Sequence, residues 1–333
     1  MSDRAWDEML AEFRALGGTA ENIRLGEGAL GRGLFPVDPA RPIKIHIPEN
    51  LLLNIADVRF DGGVFGVAAD SVFGARERAF LERYENMFSW GGGGRHEMER
   101  VFEQGQALPN HTRQILKSEF HCGDWFDDVT DKFLQQRFIS TRCIHYGDHR
   151  VVMPIIELAN HGYGPTYATH QGVGIQGAFP GEVLVRYATF DPHGTFATWG
   201  FACEEPQAFS IAIGGKVGNS LIHVHRELGA LAPANTYWIP ALSRDGSVAR
   251  LPFLMLGNKQ HPRLCKSIFY KIMRDAGFSG VEEAFDTIRH ANRMHFLNLL
   301  AVIEDIDGPM VKTLRRMARF QLQALSYCYG QAN

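Results

Sequence analysis

The sequence predicts an α+β protein in which short strands, a helical insertion and a helical C-terminal lobe follow one another. Residues 23–47 contain short apolar stretches and an alternating segment joined by glycine-rich turns, which is typical of strands. Residues 74–142 change to apolar spacings of three and four, which indicate helices. Strand patterns return at residues 151–187, and from Pro262 the spacing is again helical. A helical block therefore separates two groups of strands.

Two elements near the N-terminus are defined by their apolar period. Apolar side chains within residues 6–16 share one helical face, and Gly17 with Gly18 provides a stop signal. Ile43, Ile45 and Ile47 alternate with polar residues, which predicts a half-buried strand.

The helical insertion contains three segments with helical spacing. The third covers about residues 125–138, and Asp124 is a candidate cap for it. Residues 91–94 are four consecutive glycines. Because glycine loses more conformational freedom on ordering than any other residue, this run predicts a mobile surface loop.

A domain boundary is expected near Glu205. Residues 1–205 would form one domain, with the inserted helical region at about residues 74–142. Residues 206–333 would form a mostly helical C-terminal lobe, which is a candidate substrate-binding part. Strand-like pieces at residues 209–213, 221–224 and 237–239 precede its helices.

Composition and charge exclude several classes of protein. Of the 333 residues, 45% are hydrophobic and 21% are charged, which excludes a wholly disordered chain. The formal net charge of -3 provides no long-range attraction to nucleic acid or to an anionic membrane, so we expect neither partner. The sequence has no apolar run of about 18 residues and no signal-peptide pattern, so we expect a cytoplasmic protein.

Cysteines and histidines are the residues of this chain that could form disulfides or bind a metal. Five scattered cysteines suit a reducing compartment better than a disulfide framework. His223 and His225 resemble the ligand pair of a cupin-type metal site, which makes a metal enzyme one alternative. No third ligand stands at a diagnostic spacing, and we expect no metal site.

Residues 26–31 read G-E-G-A-L-G and match the G-x-G-x-x-G fingerprint of dinucleotide-binding folds. That fingerprint requires a long helix after the third glycine. Pro36, Pro39 and Pro42 follow within a few residues, and proline cannot continue a helix of that kind. A glycine-rich hairpin is the better interpretation.

Three further motifs occur in order along the chain. Residues 31–35 read G-R-G-L-F, Arg142 precedes Asn160 and His161 by one strand, and residues 181–187 read G-E-V-L-V-R-Y. This ordered set resembles the SET-domain protein methyltransferases, and in particular the class of the Rubisco large-subunit lysine methyltransferase. The resemblance covers residues 26 to about 201.

The resemblance implies a SET fold, with short curled β-sheets and a pseudoknot at Asn160 and His161, an inserted helical region and a helical C-terminal lobe. It also implies S-adenosyl-L-methionine as the cofactor and a protein or peptide as the substrate. The backbone of Gly31, Arg32 and Gly33 would approach the cofactor.

The same resemblance assigns roles to four side chains or backbone groups. Arg142 would pair with the carboxylate of the cofactor, which suits a forked guanidinium. Asn160 would accept from its ammonium group, and the His161 backbone would bond the adenine edge. Tyr187 would orient the nucleophile, because methyl transfer from a sulfonium to an amine needs alignment and nearby oxygens.

The pattern departs from the family in the predicted substrate channel. Trp199 stands where the family has tyrosine in a Tyr-Gly-Phe segment, and Phe201 closes the segment. A second channel tyrosine could be Tyr163 or Tyr167. A protein-lysine N-methyltransferase is therefore the expected function, with a protein-histidine methyltransferase and a SET-derived binding protein without catalysis as alternatives.

Overall fold

The computed structural model describes residues 3–126, 130–188, 190–217, 220–228 and 239–326. The α-helices in these ranges are α1 (Asp3–Ala15), α2 (Ala75–Phe88), α3 (Arg95–Gln106), α4 (Asn110–Ser118), α5 (Asp131–Arg142), α6 (Pro192–Trp199), α7 (Leu264–Asp275), α8 (Val281–Val302) and α9 (Pro309–Ser326). The β-strands are β1 (Thr19–Glu21), β2 (Ile23–Gly28), β3 (Gly31–Pro36), β4 (Ile43–Ile47), β5 (Leu53–Asn54), β6 (Val58–Asp61), β7 (Val64–Val67), β8 (Cys143–Tyr146), β9 (His149–Val152), β10 (Asn160–His161), β11 (Val173–Gly177), β12 (Leu184–Val185), β13 (Gln207–Phe209), β14 (Ile213–Val217), β15 (Ser220–Val224), β16 (Ser243–Asp245), β17 (Val248–Leu251) and β18 (Met255–Asn258). The protein is thus a mixture of helices and small sheets, as the sequence predicts.

The chain forms two compact units. Unit 1 consists of Met1–Arg100 and Val129–Thr189, and unit 2 consists of Val101–Asp128 and Phe190–Asn333. The expected division near Glu205 stays a prediction.

Unit 1 contains several small sheets, with strand orders β1-β4-β11 and β5-β9-β8 in the two larger ones. Ile43, Ile45 and Ile47 are buried on one face of the central strand β4, which confirms the strand predicted from their alternation. The predicted N-terminal helix is also confirmed as α1. It ends where Gly18 N donates to Phe13 O at 3.0 Å while Gly17 takes a φ of 94°, a conformation that favours glycine.

Strands β2 and β3 form an antiparallel hairpin in which Gly26 faces Gly33 and Gly28 faces Gly31. Gly31 begins the return strand with a φ of 91°. Because a strand and not a helix follows the third glycine of the motif, the hairpin interpretation is confirmed and the dinucleotide-binding alternative is excluded.

The four glycines at residues 91–94 were predicted as a mobile surface loop, and that prediction is wrong. Trp90–Gly94 is a wide helical turn that joins α2 directly to α3, with Gly93 at a φ of 122°. A Cβ on Gly91 would lie 2.0 Å from Asn86 O, so a side chain cannot fit there. The glycines are required because the backbone of α2 lies against the turn.

The third helix of the insertion begins later than its apolar spacing suggests. Gly123–Trp125 is a single 3-10 turn, and α5 starts at Asp131 with Thr130 as its cap: Thr130 Oγ1 accepts from Phe133 N at 3.2 Å. Asp124 is therefore not the cap.

In unit 2, β13 pairs with β18, and a four-stranded sheet has the order β14-β15-β17-β16. Helices α7, α8 and α9 follow. Residues 237 and 238 of the predicted strand at 237–239 and Cys328 lie outside the described residues. No disulfide joins the described cysteines Cys122, Cys143, Cys203 and Cys265. None of the described helices is long and apolar enough to cross a membrane.

Asp191 holds three elements of unit 2 together from a fully buried position. Its Oδ1 accepts from Gly194 N at 2.8 Å at the start of α6, and its Oδ2 accepts from Phe209 N at 2.9 Å and from Gln321 Nε2 at 2.7 Å. Arg226 completes the ion pair. Burial is the largest single influence and disfavours the charged form, but Arg226, His193 and the hydrogen bond from Phe209 together outweigh it, so the pKa of Asp191 lies below its ordinary value.

Asp191→Ala is expected to lower the free energy of unfolding by about 3–5 kcal/mol, because it leaves Arg226 buried without its partner. Since folding lowers the pKa of Asp191, its contribution is complete above the ordinary aspartate value of about 3.9 and is lost as the pH falls through the lower folded value. Urea denaturation measures both effects. Asp275→Ala breaks an exposed pair with Lys271 and serves as the control, with an expected change below about 0.5 kcal/mol; equal losses in the two variants would contradict the assignment.

Candidate active site

The chain reverses direction at Ile155, just before Asn160 and His161. Ile155 has φ 72° and ψ -58°, and Ile156 N donates to Pro154 O at 2.9 Å, so a γ-turn closes around it. A positive φ is rare for a β-branched residue and costs on the order of 1–3 kcal/mol. The Ile155 side chain is fully buried, so packing stabilises the strained turn.

A short parallel strand pair brings the two predicted motifs side by side. Asn160 in β10 lies opposite Leu184 in β12, and His161 lies opposite Val185. The pairing continues where Gly162 N donates to Val185 O at 3.1 Å. The pseudoknot itself stays a prediction, but residues more than twenty positions apart in the sequence meet here.

Asn160 connects β12 and the glycine hairpin. Its Nδ2 donates to Glu182 Oε1 at 2.6 Å and to Arg32 O at 3.1 Å. A Cβ on Gly33 would lie 2.4 Å from Glu182 Oε1 and 2.8 Å from Asn160 Nδ2. A side chain at Gly33 would therefore displace Glu182 or Asn160 from this arrangement.

The Arg32 side chain fixes the same hairpin to the turn after α2. Its Nη2 donates to Phe88 O at 2.7 Å, and its Nη1 donates to Gly92 O. The guanidinium is thus used within the protein, and the backbone of Gly31, Arg32 and Gly33 is the part available to a ligand.

Tyr187 lies directly beside β10. Its hydroxyl donates to Ala159 O at 2.8 Å, its backbone N donates to His161 Nδ1 at 3.2 Å, and the two rings are 5.1 Å apart between centroids. Burial raises the pKa of Tyr187 above its ordinary value, and nearby Arg142 offsets this only in part. The phenol is consequently a protonated hydrogen-bond donor at neutral pH.

Arg142 is the last residue of α5. Its Nη1 donates to Thr141 Oγ1 at 3.1 Å, and its guanidinium lies 3.9 Å from the centroid of the Phe138 ring. Gly94 leaves room for it, because a Cβ there would lie 3.2 Å from Arg142 Nη2. Arg142 and Tyr187 are close enough for the guanidinium to act on the pKa of the phenol.

Two carboxyl groups that no sequence motif indicates lie beside Arg142. Glu85 in α2 is buried, and both side-chain oxygens of Glu157 are shielded from solvent. A signal was present for Glu85, because it shares a helical face with the buried residues Leu81 and Phe88.

Burial raises the pKa of each carboxyl group, and that of Glu85 is raised furthest because Glu157 adds its own charge. Arg142 acts in the opposite direction on both. Arg142 therefore favours a negative charge on this pair of carboxyl groups.

The structure distinguishes the two tyrosines that follow His161. Tyr163 is 66% exposed. Tyr167 is half-buried, and its pKa is raised by burial and then by the neighbouring Tyr187 and Glu157. Tyr167 is thus the tyrosine that lies near Tyr187.

The remaining predicted residues lie in unit 2. Trp199 ends α6, Gly200 follows as its cap with a φ of 77°, and the Trp199 and Phe201 rings are 6.3 Å apart between centroids. The place of Trp199 and Phe201 in a substrate channel stays a prediction.

For the cupin-type alternative, no group of three metal-ligating atoms within 4.8 Å of one another in the described residues includes His223 or His225.

Gly33→Ala is expected to displace Glu182 and break its hydrogen bond with Asn160, which lowers the free energy of unfolding by about 1 kcal/mol. Gly181→Ala is the matched control, because a Cβ on Gly181 meets no atom within 4 Å. Urea denaturation of the two variants and the wild type measures the difference. If Gly33→Ala were as stable as Gly181→Ala, the bare backbone would not be needed to seat Glu182.

No protein-family model and no curated protein matches this chain. Among solved structures, the SET domain of LSMT bound to lysine and AdoHcy is similar, with 11% sequence identity, a TM-score of 0.46, and coverage of 98% of this chain and 90% of that chain.

Proposed function

We propose that this protein is an S-adenosyl-L-methionine-dependent protein methyltransferase of the SET type, and that it acts on a lysine side chain of a protein substrate. One observation carries the proposal: the β10–β12 pair sets Asn160 and His161 beside Tyr187, with the Tyr187 hydroxyl on the Ala159 carbonyl. These are the residues of two motifs that resemble the family and that are separate in the sequence.

The residues present fit the cofactor. The hairpin at Gly31 and Gly33 offers backbone without side chains, and at Gly31 a Cβ would meet no other atom of the protein within 4 Å. Asn160 uses its Nδ2 within the protein, so its Oδ1 is the atom that would accept from an ammonium group. Arg142 would hold the carboxylate with a planar guanidinium. When bound, S-adenosyl-L-methionine would supply an electrophilic methyl group.

Tyr187 and Ala159 would position the nucleophile. The Ala159 carbonyl already accepts from the Tyr187 hydroxyl, so two oxygens are fixed at one place in the site. Oxygens aimed at a developing positive charge stabilise a transition state most when they are held in position beforehand. Tyr187 keeps its proton because burial raises its pKa, so it acts by orientation and not as a base.

A lysine with a pKa of about 10.4 is neutral in only about one of 2500 molecules at pH 7. Removing its proton at that pH therefore costs nearly 5 kcal/mol of free energy. Aromatic surroundings disfavour the ammonium form and reduce this cost. Tyr187 and Tyr167 are the aromatic residues that we assign to this task.

Tyr187→Phe is expected to lower methyl transfer on the order of 100-fold or more, because the hydroxyl that aligns the nucleophile is lost. The affinity for S-adenosyl-L-methionine is expected to remain, since the ring is retained. Transfer of labelled methyl groups to the proteins of a cell lysate measures activity, and isothermal titration measures affinity. Mass spectrometry of the product then identifies lysine or histidine as the modified residue.

Tyr163→Phe is the matched control, because Tyr163 is exposed and its hydroxyl should not affect transfer. Absence of binding at millimolar S-adenosyl-L-methionine would overturn the proposed function. Binding without transfer to any lysate protein would instead favour a binding protein that lacks catalysis.

A further inference from the structure

We propose that Glu85 and Glu157 share one proton beside Arg142, and that this pair takes up a second proton when Arg142 binds the carboxylate of the cofactor. Glu157 is thereby a positioning residue for Arg142, and cofactor binding is linked to proton uptake. The proposal rests on the proposed function, because it concerns the cofactor that Arg142 is assigned to hold.

The first support is the closeness of the polar groups in this cluster. Glu85 and Ser89 are each 1% exposed, and both carboxyl oxygens of Glu157 and the Tyr84 hydroxyl are shielded from solvent. The two carboxyl groups act on each other through a side-chain hydrogen bond, Ser89 acts on both of them, and Tyr84 acts on Glu157. Two carboxyl groups that meet in a site closed to water can form a hydrogen bond only if one of them keeps a proton.

The second support is the balance of charge. Two ionised carboxylates would place two negative charges opposite the single positive charge of Arg142. Carboxyl groups that share one buried site cannot both ionise, so one proton is retained and the remaining charge is balanced by Arg142.

The groups that face the pair come from each neighbouring element. Tyr84 lies on α2 beside Glu85, Arg142 comes from α5, and Glu157 acts on both Tyr167 and Tyr187. The three phenols have raised pKa values and are neutral near pH 7. Arg142 is thus the cation that opposes the pair.

The third support is the position of Glu157 relative to the strained turn. Ile155, with its positive φ, lies two residues before Glu157 and is fully buried. Backbone strain of this kind persists only where the surroundings determine the conformation, and it is concentrated at functional sites. The turn fixes the carboxyl group of Glu157 in the same segment that supplies Ala159 and Asn160.

Binding of the cofactor's carboxylate to Arg142 is expected to change the protonation of the two carboxyl groups. In the free protein its guanidinium stabilises the ionised form of Glu157, because it lowers the pKa that burial raises. Once Arg142 is shared with a carboxylate of the cofactor, that stabilisation weakens, and the pair binds a proton from solvent. Uptake of a proton means that affinity increases as the pH falls.

Isothermal titration of the full chain with S-adenosyl-L-methionine tests the proposal. Titrations at about pH 6.5 in two buffers of different ionisation enthalpy give the number of protons exchanged, and this pH lies below the pKa of about 8 of the cofactor's own α-amino group. We expect uptake approaching one proton, and an association constant that falls by up to about tenfold for each pH unit between about 6 and 7.

Glu157→Gln is expected to bind the cofactor with almost no proton uptake, since Glu85 alone is already protonated. Glu21→Gln, an exposed position in the same unit, is the control and should behave as the wild type. If Glu157→Gln fails to fold, the double variant Glu85→Gln with Glu157→Gln removes both charges, and it should likewise bind without uptake.

The outcomes separate the two proposals. Binding by the wild type without proton uptake would overturn the shared-proton proposal and leave the methyltransferase assignment intact. Equal uptake by the wild type and Glu157→Gln would also overturn it, because another group such as Glu182 would then carry the proton. Absence of binding would overturn the proposed function, and the shared-proton proposal with it.

Discussion

The placement of two shielded carboxyl groups beside one half-buried guanidinium is the constraint on which the arrangement of unit 1 depends. Removing charges from water costs several kcal/mol per ion, and only close counter-charges or hydrogen bonds offset that cost. Arg142 at the end of α5 must therefore stay beside Glu85 on α2 and Glu157 after β9. The stack of Arg142 on Phe138 and the space at Gly94 hold the guanidinium at that position.

A second constraint, of shape and not of charge, connects this cluster to the hairpin. The hairpin approaches Asn160 and Glu182 so closely that a Cβ on Gly33 would displace the ends of their side chains. Arg32 fixes the other side of the hairpin to the turn at Trp90–Gly94, which itself requires glycine. The glycines of two distant motifs thus serve one purpose, because both allow backbone to pack where a Cβ would not fit.

The sequence predicted those parts of the molecule that depend on local period or on local turn chemistry. The alternation of Ile43, Ile45 and Ile47 specified β4, and the prolines after Gly31 excluded a long helix. The conformation of residues 91–94 could not be predicted in the same way, because it depends on the carbonyl of Asn86 across the turn. The start of α5 was misplaced for a related reason, since apolar spacing at residues 125–126 continues the pattern without continuing the helix.

In the candidate site, too, residues in local motifs could be predicted from the sequence, and contacts between distant segments could not. Asn160, His161 and Tyr187 were predicted from motifs, whereas the closeness of Glu85 to Glu157 is a tertiary contact between α2 and a turn. Tyr163 and Tyr167 are equivalent in sequence terms, and only burial and the nearness of Tyr187 separate them. The roles assigned to all these residues are proposals.

The protonation state of Tyr187 limits what the proposed reaction can require of it. A phenol whose pKa is raised by burial, and whose proton lies on the Ala159 carbonyl, cannot accept a proton from a substrate amine at neutral pH. The amine must then lose its proton before it aligns with the methyl group, and the cost of that loss is set by how strongly its surroundings disfavour the ammonium ion. Glu157 acts against this, because a negative charge near Tyr187 would stabilise the ammonium ion. A second proton on the Glu85 and Glu157 pair would neutralise that charge, so the proton uptake proposed for cofactor binding would also favour the neutral amine.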